Sequence, residues 1–198
     1  MNFEVIDGLD VFNQIPNWRL HMAHLSLAPD YSDQVMDVAV KGAVSRVQRR
    51  FEKYTMEDEP TLCALRETLG GAQPPTSELL ARAVLDGEPF SRAHPGREFR
   101  DILALRTMLP WSVMDARQVL FPMQFRLGKP GETGEQRGRE VDLQGVPVLA
   151  DGRGVVASPC CCHDVERMTD DAQEVILVCY TPMSIAGDFT ARTELGRL

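Results

Sequence analysis

The sequence has no long apolar run, and no segment reaches the roughly 20 residues that a membrane-spanning helix needs. Its N-terminus shows no basic region followed by an apolar one, which is the pattern of a secretory signal. The five cysteines are an odd number with three adjacent, and such a set does not build a disulfide framework. These absences predict a cytoplasmic protein with reduced thiols and no membrane partner.

Basic residues are also in short supply. The chain has 21 Lys and Arg against 29 Asp and Glu, which gives a formal net charge of −8. This balance disfavours general nucleic-acid binding, because affinity for phosphates comes mainly from Lys and Arg. The 198 residues, of which 43% are hydrophobic, suffice for one domain with a sizeable core. We therefore predict a single domain over residues 1–198.

Hydrophobic spacing predicts helices in the first half of the chain and strands mostly in the second. Apolar residues three and four apart indicate helices over residues 31–54, 60–69, 77–85 and 97–108. Apolar or alternating runs indicate strands at 3–5, 18–25, 119–127, 146–149, 154–157 and 175–180. The polar, glycine-rich residues 128–138 are predicted to form an exposed loop. This segregation favours an α+β fold over a doubly wound sheet.

One local basic cluster stands out from the acidic whole. Arg46, Arg49, Arg50 and Lys53 lie toward the C-terminal end of the first predicted helix. Cations there complement the helix dipole, so a solvated face explains them. A surface that contacts phosphates is the other interpretation.

Side chains capable of chemistry concentrate in residues 160–167, where three cysteines and His163 precede Asp164, Glu166 and Arg167. Zinc has the right ligand types here, but adjacent cysteines diverge and the chain has no second cysteine pair. A thiol nucleophile is also disfavoured, because residues adjacent in sequence rarely reach thiol–imidazole geometry. Asp164 and Glu166 would share one face of an extended segment, which leaves an acid/base site or a surface ion pair.

The order of several motifs resembles the B3/B4 domain of the bacterial phenylalanyl-tRNA synthetase beta subunit, and most closely free-standing proteins made of that domain alone. The resemblance covers about residues 20 to 182. It rests on Pro75–Val84, Ala93–Pro95, Leu105–Pro110, Asp115, Leu149–Val155 and Asp164–Arg167. It implies layered mixed β-sheets with helices packed outside. It also implies tRNA binding and hydrolysis of mischarged aminoacyl-tRNA, chiefly tRNA carrying tyrosine, without a metal or cofactor.

The resemblance places the editing glutamate of the family at Glu166. An asparagine of the family falls on Asp101, and its editing histidine falls on Ser112. A tryptophan-rich segment of the free-standing relatives is replaced by residues 159–163, and an asparagine before their mid-chain proline is replaced by His94. The glutamate is thus kept, whereas the amide has become a carboxylate and the histidine is absent.

Three functional hypotheses follow. In the first, an editing deacylase, Glu166 positions or activates the water and Asp101 binds the α-ammonium of the amino acid. Its pocket is lined by Ser112, His163, Arg167 and His94, and backbone amides near Gly152 and Gly154 stabilise the oxyanion. The second is a binding module without catalysis, for tRNA, an amino acid or a related small metabolite. The third is a metal- or redox-responsive protein that uses residues 160–163.

Overall fold

The computed structural model describes residues 2–5, 11–27, 33–71, 73–92, 94–136, 138–161 and 167–186. Within these ranges the helices are α1 (Asp33–Phe51), α2 (Pro60–Leu69), α3 (Thr76–Leu85) and α4 (Pro95–Thr107). The strands are β1 (Asn2–Val5), β2 (Val11–Asn13), β3 (Trp18–Ser26), β4 (Trp111–Asp115), β5 (Met123–Leu127), β6 (Thr133–Gln136), β7 (Arg139–Asp142), β8 (Pro147–Asp151), β9 (Gly154–Ala157) and β10 (Glu174–Pro182). Among these residues no helix has the length and apolar character needed to cross a membrane.

The strands form two four-stranded sheets and a separate hairpin. The first sheet has the order β1-β3-β10-β4 and is antiparallel throughout. The second has the order β2-β5-β8-β9 and is mixed, because β2 runs parallel to β5 while the other neighbours are antiparallel. Strands β6 and β7 form the hairpin. The long pair β3 and β10 lies at the centre of the first sheet, with Trp18 opposite Pro182 and Ser26 opposite Glu174.

The two sheets share one apolar core. Phe125 of the second sheet is fully buried against two aromatic side chains of the first. Its ring lies edge-on to Trp18 at a centroid distance of 6.3 Å, and its centroid is 5.7 Å from that of Tyr180. Large aromatic side chains contribute much of the apolar area that a core removes from water. This contact therefore joins the two layers of strands.

Helix ends follow the local sequence. Pro60 and Pro95 occupy first-turn positions, where a missing N–H costs nothing. Gly70 ends α2 in the left-handed region at φ 67°, which a residue without Cβ adopts freely. Met108 ends α4 at φ 60°, and its buried side chain offsets the strain of that conformation. Helix α4 packs on β4, and α1 and α3 pack on α4.

Buried carboxylates tie the helices together. Glu59 is fully buried; its Oε2 accepts the N–H of Leu62 at the start of α2, and its Oε1 pairs with Arg50 of α1. Glu78 of α3 is bound by Arg66 from α2 and by Arg82 from its own helix. Despite burial, these two guanidinium groups lower the pKa of the Glu78 carboxyl. The cationic partners of Glu78 therefore let its carboxylate stay charged inside the protein.

The predicted α+β class is confirmed, and all four helices lie within three residues of their predicted ends. One strand prediction and one loop prediction need correction. Residues 119–122 are not a strand, because β5 begins only at Met123 after a 3₁₀ turn over Ala116–Gln118. The predicted loop over 128–138 contains β6, which is stabilised by backbone pairing rather than by an apolar face. Strand β4 was not predicted, because all five of its residues are buried and show no alternation.

Candidate functional site: a cavity between α3 and α4

A cavity of about 280 Å³ lies between α3 and α4. One face of α4 forms its polar side, because positions 97, 100, 101 and 104 follow the i, i+3, i+4, i+7 spacing of a single helical face. Segment 88–91 and Gln136 complete the lining. The apolar wall consists of Leu79, Leu80, Ala83, Val84, Phe90, Ala104 and Trp111. An apolar pocket with a few converging polar groups is typical of small-molecule sites.

Asp101 lies in this cavity, as one half of an ion pair. Its Oδ1 accepts a hydrogen bond of 2.7 Å from Nε of Arg100, and both side chains are about nine-tenths buried. Charge-assisted hydrogen bonds of this kind are the strong ones in a low-dielectric setting. A carboxylate accepts about four hydrogen bonds, so Asp101 keeps capacity for a ligand while Arg100 holds it in place.

Arg97 enters the cavity one turn before Asp101. Its Nε is buried and has no hydrogen-bond partner among the residues that the structure describes. A buried N–H group without an acceptor is uncommon and destabilising. The guanidinium group of Arg97 is therefore a cation in the cavity wall whose donors are not fully used.

Ser112 does not join Asp101 in the cavity. It follows Trp111 in β4, and consecutive residues of a strand point to opposite faces of the sheet. The indole of Trp111 lies on the cavity side, where it donates to Oγ1 of Thr107 at 3.1 Å. The hydroxyl of Ser112 instead accepts a hydrogen bond of 3.2 Å from the hydroxyl of Tyr180, whose ring packs on Phe125 of the second sheet.

His94 has a structural position at the beginning of α4. Its Nδ1 accepts the backbone N–H of Gly96 at 3.0 Å, which caps the helix that carries the polar side of the cavity. Burial chiefly lowers the pKa of His94, and the nearby Arg97 guanidinium acts in the same direction. A hydrogen bond with the backbone of Ala172 opposes them. The imidazole is therefore held neutral as a cap and is not part of the cavity lining.

Arg167 lies in a separate charged cluster. Its Nη1 is 2.5 Å from Oδ2 of Asp151, a carboxylate that also accepts the backbone N–H groups of Leu120 and Arg153. The backbone carbonyl of Arg167 accepts the N–H of Asp115. These contacts anchor the chain directly after residues 162–166.

The residues after Arg167 are held by Asp115. Its buried carboxylate receives Nη2 of Arg117 at 2.8 Å and the hydroxyl of Thr169 at 2.5 Å. The hydrogen bonds from Arg117 are the main cause that lowers the pKa of the Asp115 carboxyl to about 2. Arg117 also contacts the exposed Asp171. The cluster thereby fixes both ends of segment 169–171 to the edge of the first sheet.

The cysteine-rich turn begins inside the protein. Cys160 and Cys161 are fully buried and pack with Leu143, Val146 and Val148. Burial raises the pKa of the Cys160 thiol far above its ordinary value, so it is not a nucleophile. Among the residues that the structure describes, no group of three or more side chains is placed to hold a metal ion. Cys162, His163, Asp164 and Glu166 lie outside the described residues.

The cysteine-rich turn is nevertheless adjacent to the cavity. The side-chain amide of Gln136, which lines the cavity, donates to the carbonyls of Cys160 and Pro74. The N–H of Thr76, another lining residue, donates to the carbonyl of Pro159 at 2.9 Å. Residues 159 and 160 are therefore in direct contact with the lining of the cavity.

Sequence reasoning identified Asp101 but missed Arg97, Phe90 and Trp111. The spacing of Arg97 to Asp101 on one predicted helix is a signal that was available in the sequence. Phe90 and Trp111 come from two other segments, and nothing in their local pattern indicates a shared cavity. Gly152 and Gly154, predicted to bind an oxyanion, belong to the turn between β8 and β9 and do not line the cavity.

A scan of protein-family models finds none that matches this chain, and a search of curated proteins finds no significant similarity. The resemblance to the B3/B4 domain therefore stays a prediction. Functional inference rests on the geometry of the described residues together with that resemblance.

Proposed function

We propose that this chain is a binding protein for an amino-acid-like molecule, and that the cavity between α3 and α4 is its binding site. The observation that carries this proposal is the combination of an apolar wall with Arg97, Arg100 and Asp101 on one face of α4. An amino acid has the complementary chemistry, because it joins an apolar side chain to an ammonium and an acidic group.

Asp101 binds the α-ammonium in this proposal. Its carboxylate is fixed by Arg100 and buried, so an ammonium bound there makes a charge-assisted hydrogen bond shielded from water. The apolar side chain of the ligand packs against the wall formed by α3, Phe90 and Trp111. Burial of apolar area contributes roughly 25 cal/mol per Å² to such binding.

Asp101→Asn tests this assignment. We expect it to weaken binding of L-phenylalanine and L-leucine by about 10- to 100-fold, because the ammonium loses a hydrogen bond to a charged partner. Binding of 3-phenylpropionate, which has no ammonium, should not weaken. Isothermal calorimetry measures both affinities.

Asp142→Asn is the matched control for Asp101→Asn. Asp142 is exposed in β7, and asparagine preserves the side-chain oxygen that accepts the N–H of Gln144. This variant should bind every ligand as the wild type does. If neither amino acid nor any other of a full amino-acid panel binds the wild type, the proposed function is wrong.

Hydrolysis of mischarged aminoacyl-tRNA is the second candidate function, and the basic residues of α1 favour it. Lys41, Arg46, Arg49 and Lys53 are exposed and form no ion pair among the described residues, whereas the neighbouring Arg50 is held by Glu59. Lys41 and Arg49 are about 12 Å apart along the axis of α1 at 1.5 Å per residue, and Lys53 follows two residues after the helix ends. Exposed cations in such a row can contact the phosphates of a nucleic-acid strand, even though the net charge of the whole chain is −8.

In this second candidate, the aminoacyl group occupies the cavity and Glu166 activates the water that attacks the ester carbonyl. The carbonyl–oxygen bond to the ribose then breaks, which releases the amino acid and leaves the hydroxyl on the tRNA. Arg167, fixed by Asp151, anchors the chain next to Glu166. Helix α1 contacts the residue that follows the lining segment 88–91, because Arg92 pairs with Asp37 at 2.7 Å.

Tyrosylated tRNA provides the test. We expect removal of three of these cations to raise KM for deacylation about 100-fold in 0.1 M salt, and to lower the salt slope of RNA affinity by about 2. Glu166→Ala should lower kcat instead. Equal hydrolysis by the wild type and Glu166→Ala would contradict the catalytic role. The variant that removes the three cations combines Lys41→Gln, Arg46→Gln and Lys53→Gln. Its control combines Arg19→Gln, Lys129→Gln and Arg139→Gln, which changes the net charge by the same amount.

A further inference from the structure

Three charged groups of α4 line the cavity, but only two of them neutralise one another. Arg100 and Asp101 form an ion pair at 2.7 Å. Arg97 forms no ion pair with the described residues, and its Nε is buried without an acceptor. The α4 face of the cavity thus carries one cation in excess of the Arg100–Asp101 pair. Glu88, a further charged residue of the lining, lies outside α4 and is exposed to solvent. A ligand that brings an acceptor to Arg97 would satisfy a group that the protein leaves unsatisfied.

The chemistry of a guanidinium group specifies that ligand group. Arg97 stays charged at every physiological pH and presents its N–H donors as a planar fork. Carboxylates and phosphates match this fork with two parallel hydrogen bonds. Arg97 also occupies the first turn of the 13-residue helix α4, where the positive end of the helix dipole adds to its attraction for an anion. A neutral amide or ester oxygen gains much less from either effect.

We propose that Arg97 is the subsite of the cavity that binds the acidic group of the ligand. The inference rests on the proposed function, since it places a second polar contact beside the ammonium site at Asp101. Side chains four apart on a helix have β-carbons about 6 Å apart. One small molecule therefore reaches both Arg97 and Asp101. The acidic group is the carboxylate of a free amino acid or a phosphate of a nucleotide-linked one.

Four probes separate these contributions by calorimetry on the full chain: L-phenylalanine, phenylalaninamide, 3-phenylpropionate and inorganic phosphate. Phenylalaninamide has the ammonium but no acid, and 3-phenylpropionate has the acid but no ammonium. We expect Arg97→Gln to weaken binding of both acids by about 10- to 100-fold and to leave phenylalaninamide unchanged. Arg97→Lys, which keeps the charge but lacks the fork, should recover part of the loss.

Arg19→Gln is the matched control, because Arg19 is an exposed residue of β3 and its loss changes the net charge equally. It should leave all affinities unchanged. The melting temperature of Arg97→Gln should equal that of the wild type or lie slightly above it. The substitution removes an Nε that makes no hydrogen bond with the described residues, so no hydrogen bond of this atom is lost.

Several results would overturn the subsite. Equal weakening of phenylalaninamide and 3-phenylpropionate by Arg97→Gln would mean that Arg97 acts through packing. Wild-type protein that binds the amide as tightly as the acid would also contradict it. If neither these organic probes nor any member of the full amino-acid panel binds the wild type, the proposed function itself fails, and the subsite fails with it. Phosphate that competes with 3-phenylpropionate shows that the subsite also accepts a phosphate group, as a nucleotide-linked ligand requires. Absence of competition shows that the subsite selects a carboxylate.

Discussion

Phe125→Ala is expected to lower the free energy of unfolding by about 4 kcal/mol, because it removes a fully buried ring and leaves a cavity between the two sheets. The ring contacts Trp18 and Tyr180, which belong to the other sheet, so collapse around the gap requires movement of both layers. In a protein of this size the loss corresponds to a fall in melting temperature of about 10 °C. Urea unfolding followed by tryptophan fluorescence measures the change.

Phe12→Ala is the matched control for Phe125→Ala. Phe12 belongs to the same sheet and loses the same atoms, but 61% of its surface is exposed. Its replacement should therefore cost less than about 1 kcal/mol. Equal losses in the two variants would show that the two sheets do not share a core.

Asp115→Asn is expected to lower the free energy of unfolding by about 2 kcal/mol at pH 7. The pKa of Asp115 falls from its ordinary 3.8 to about 2 in the folded protein, chiefly because Arg117 donates hydrogen bonds to the carboxylate. A folded-state pKa below the unfolded one stabilises the protein at any pH above the unfolded value. Asparagine keeps the shape but has no charge to attract Arg117 or to receive Thr169 as strongly.

The pH dependence of this loss has a definite sign. As pH falls below about 4, the unfolded carboxyl takes up a proton before the folded one does, so the wild type loses its advantage. Asp115→Asn has no such group, and the gap between the two proteins should close between about pH 4 and pH 2. Urea unfolding at pH 7, 4 and 3 measures the gap.

Asp171→Asn is the control for Asp115→Asn, because it removes an exposed carboxylate instead of a buried one. Asp171 contacts the same Arg117, but 78% of its side chain is exposed. Its replacement should leave the free energy of unfolding close to that of the wild type, because solvent screens an exposed ion pair. A gap between wild type and Asp115→Asn that stays constant from pH 7 to pH 3 would contradict the carboxylate assignment.

Much of the fold could be predicted from the sequence, because its helices carry local signals. Pro60 marked the start of α2, and Gly70 marked its end at the left-handed conformation that it adopts. Strand β4 could not be predicted, since both of its faces are buried by elements from distant parts of the chain. The hairpin of β6 and β7 was also missed, because its backbone pairs without an alternating apolar pattern.

The candidate site was predictable only in part. Asp101 was predicted to be a site residue from the order of the motifs, and in the structure it lines a cavity together with Arg97. Ser112 was predicted from the same motif order. However, neighbouring residues of a strand point to opposite faces, and Ser112 faces the second sheet rather than the cavity. Which face of β4 meets α4 depends on long-range packing, and a motif comparison does not contain that information. Glu166 and His163 remain predictions.

The central ladder of the first sheet has a consequence for how the protein is made. It joins β3 to β10, so that Ser26 meets Glu174, 148 residues further along the chain. Loops of this length form slowly, and a protein rich in distant contacts folds slowly. During synthesis β3 is therefore translated long before β10, the strand with which it forms its longest ladder. Until then its apolar side chains are exposed to chaperones and to other nascent chains.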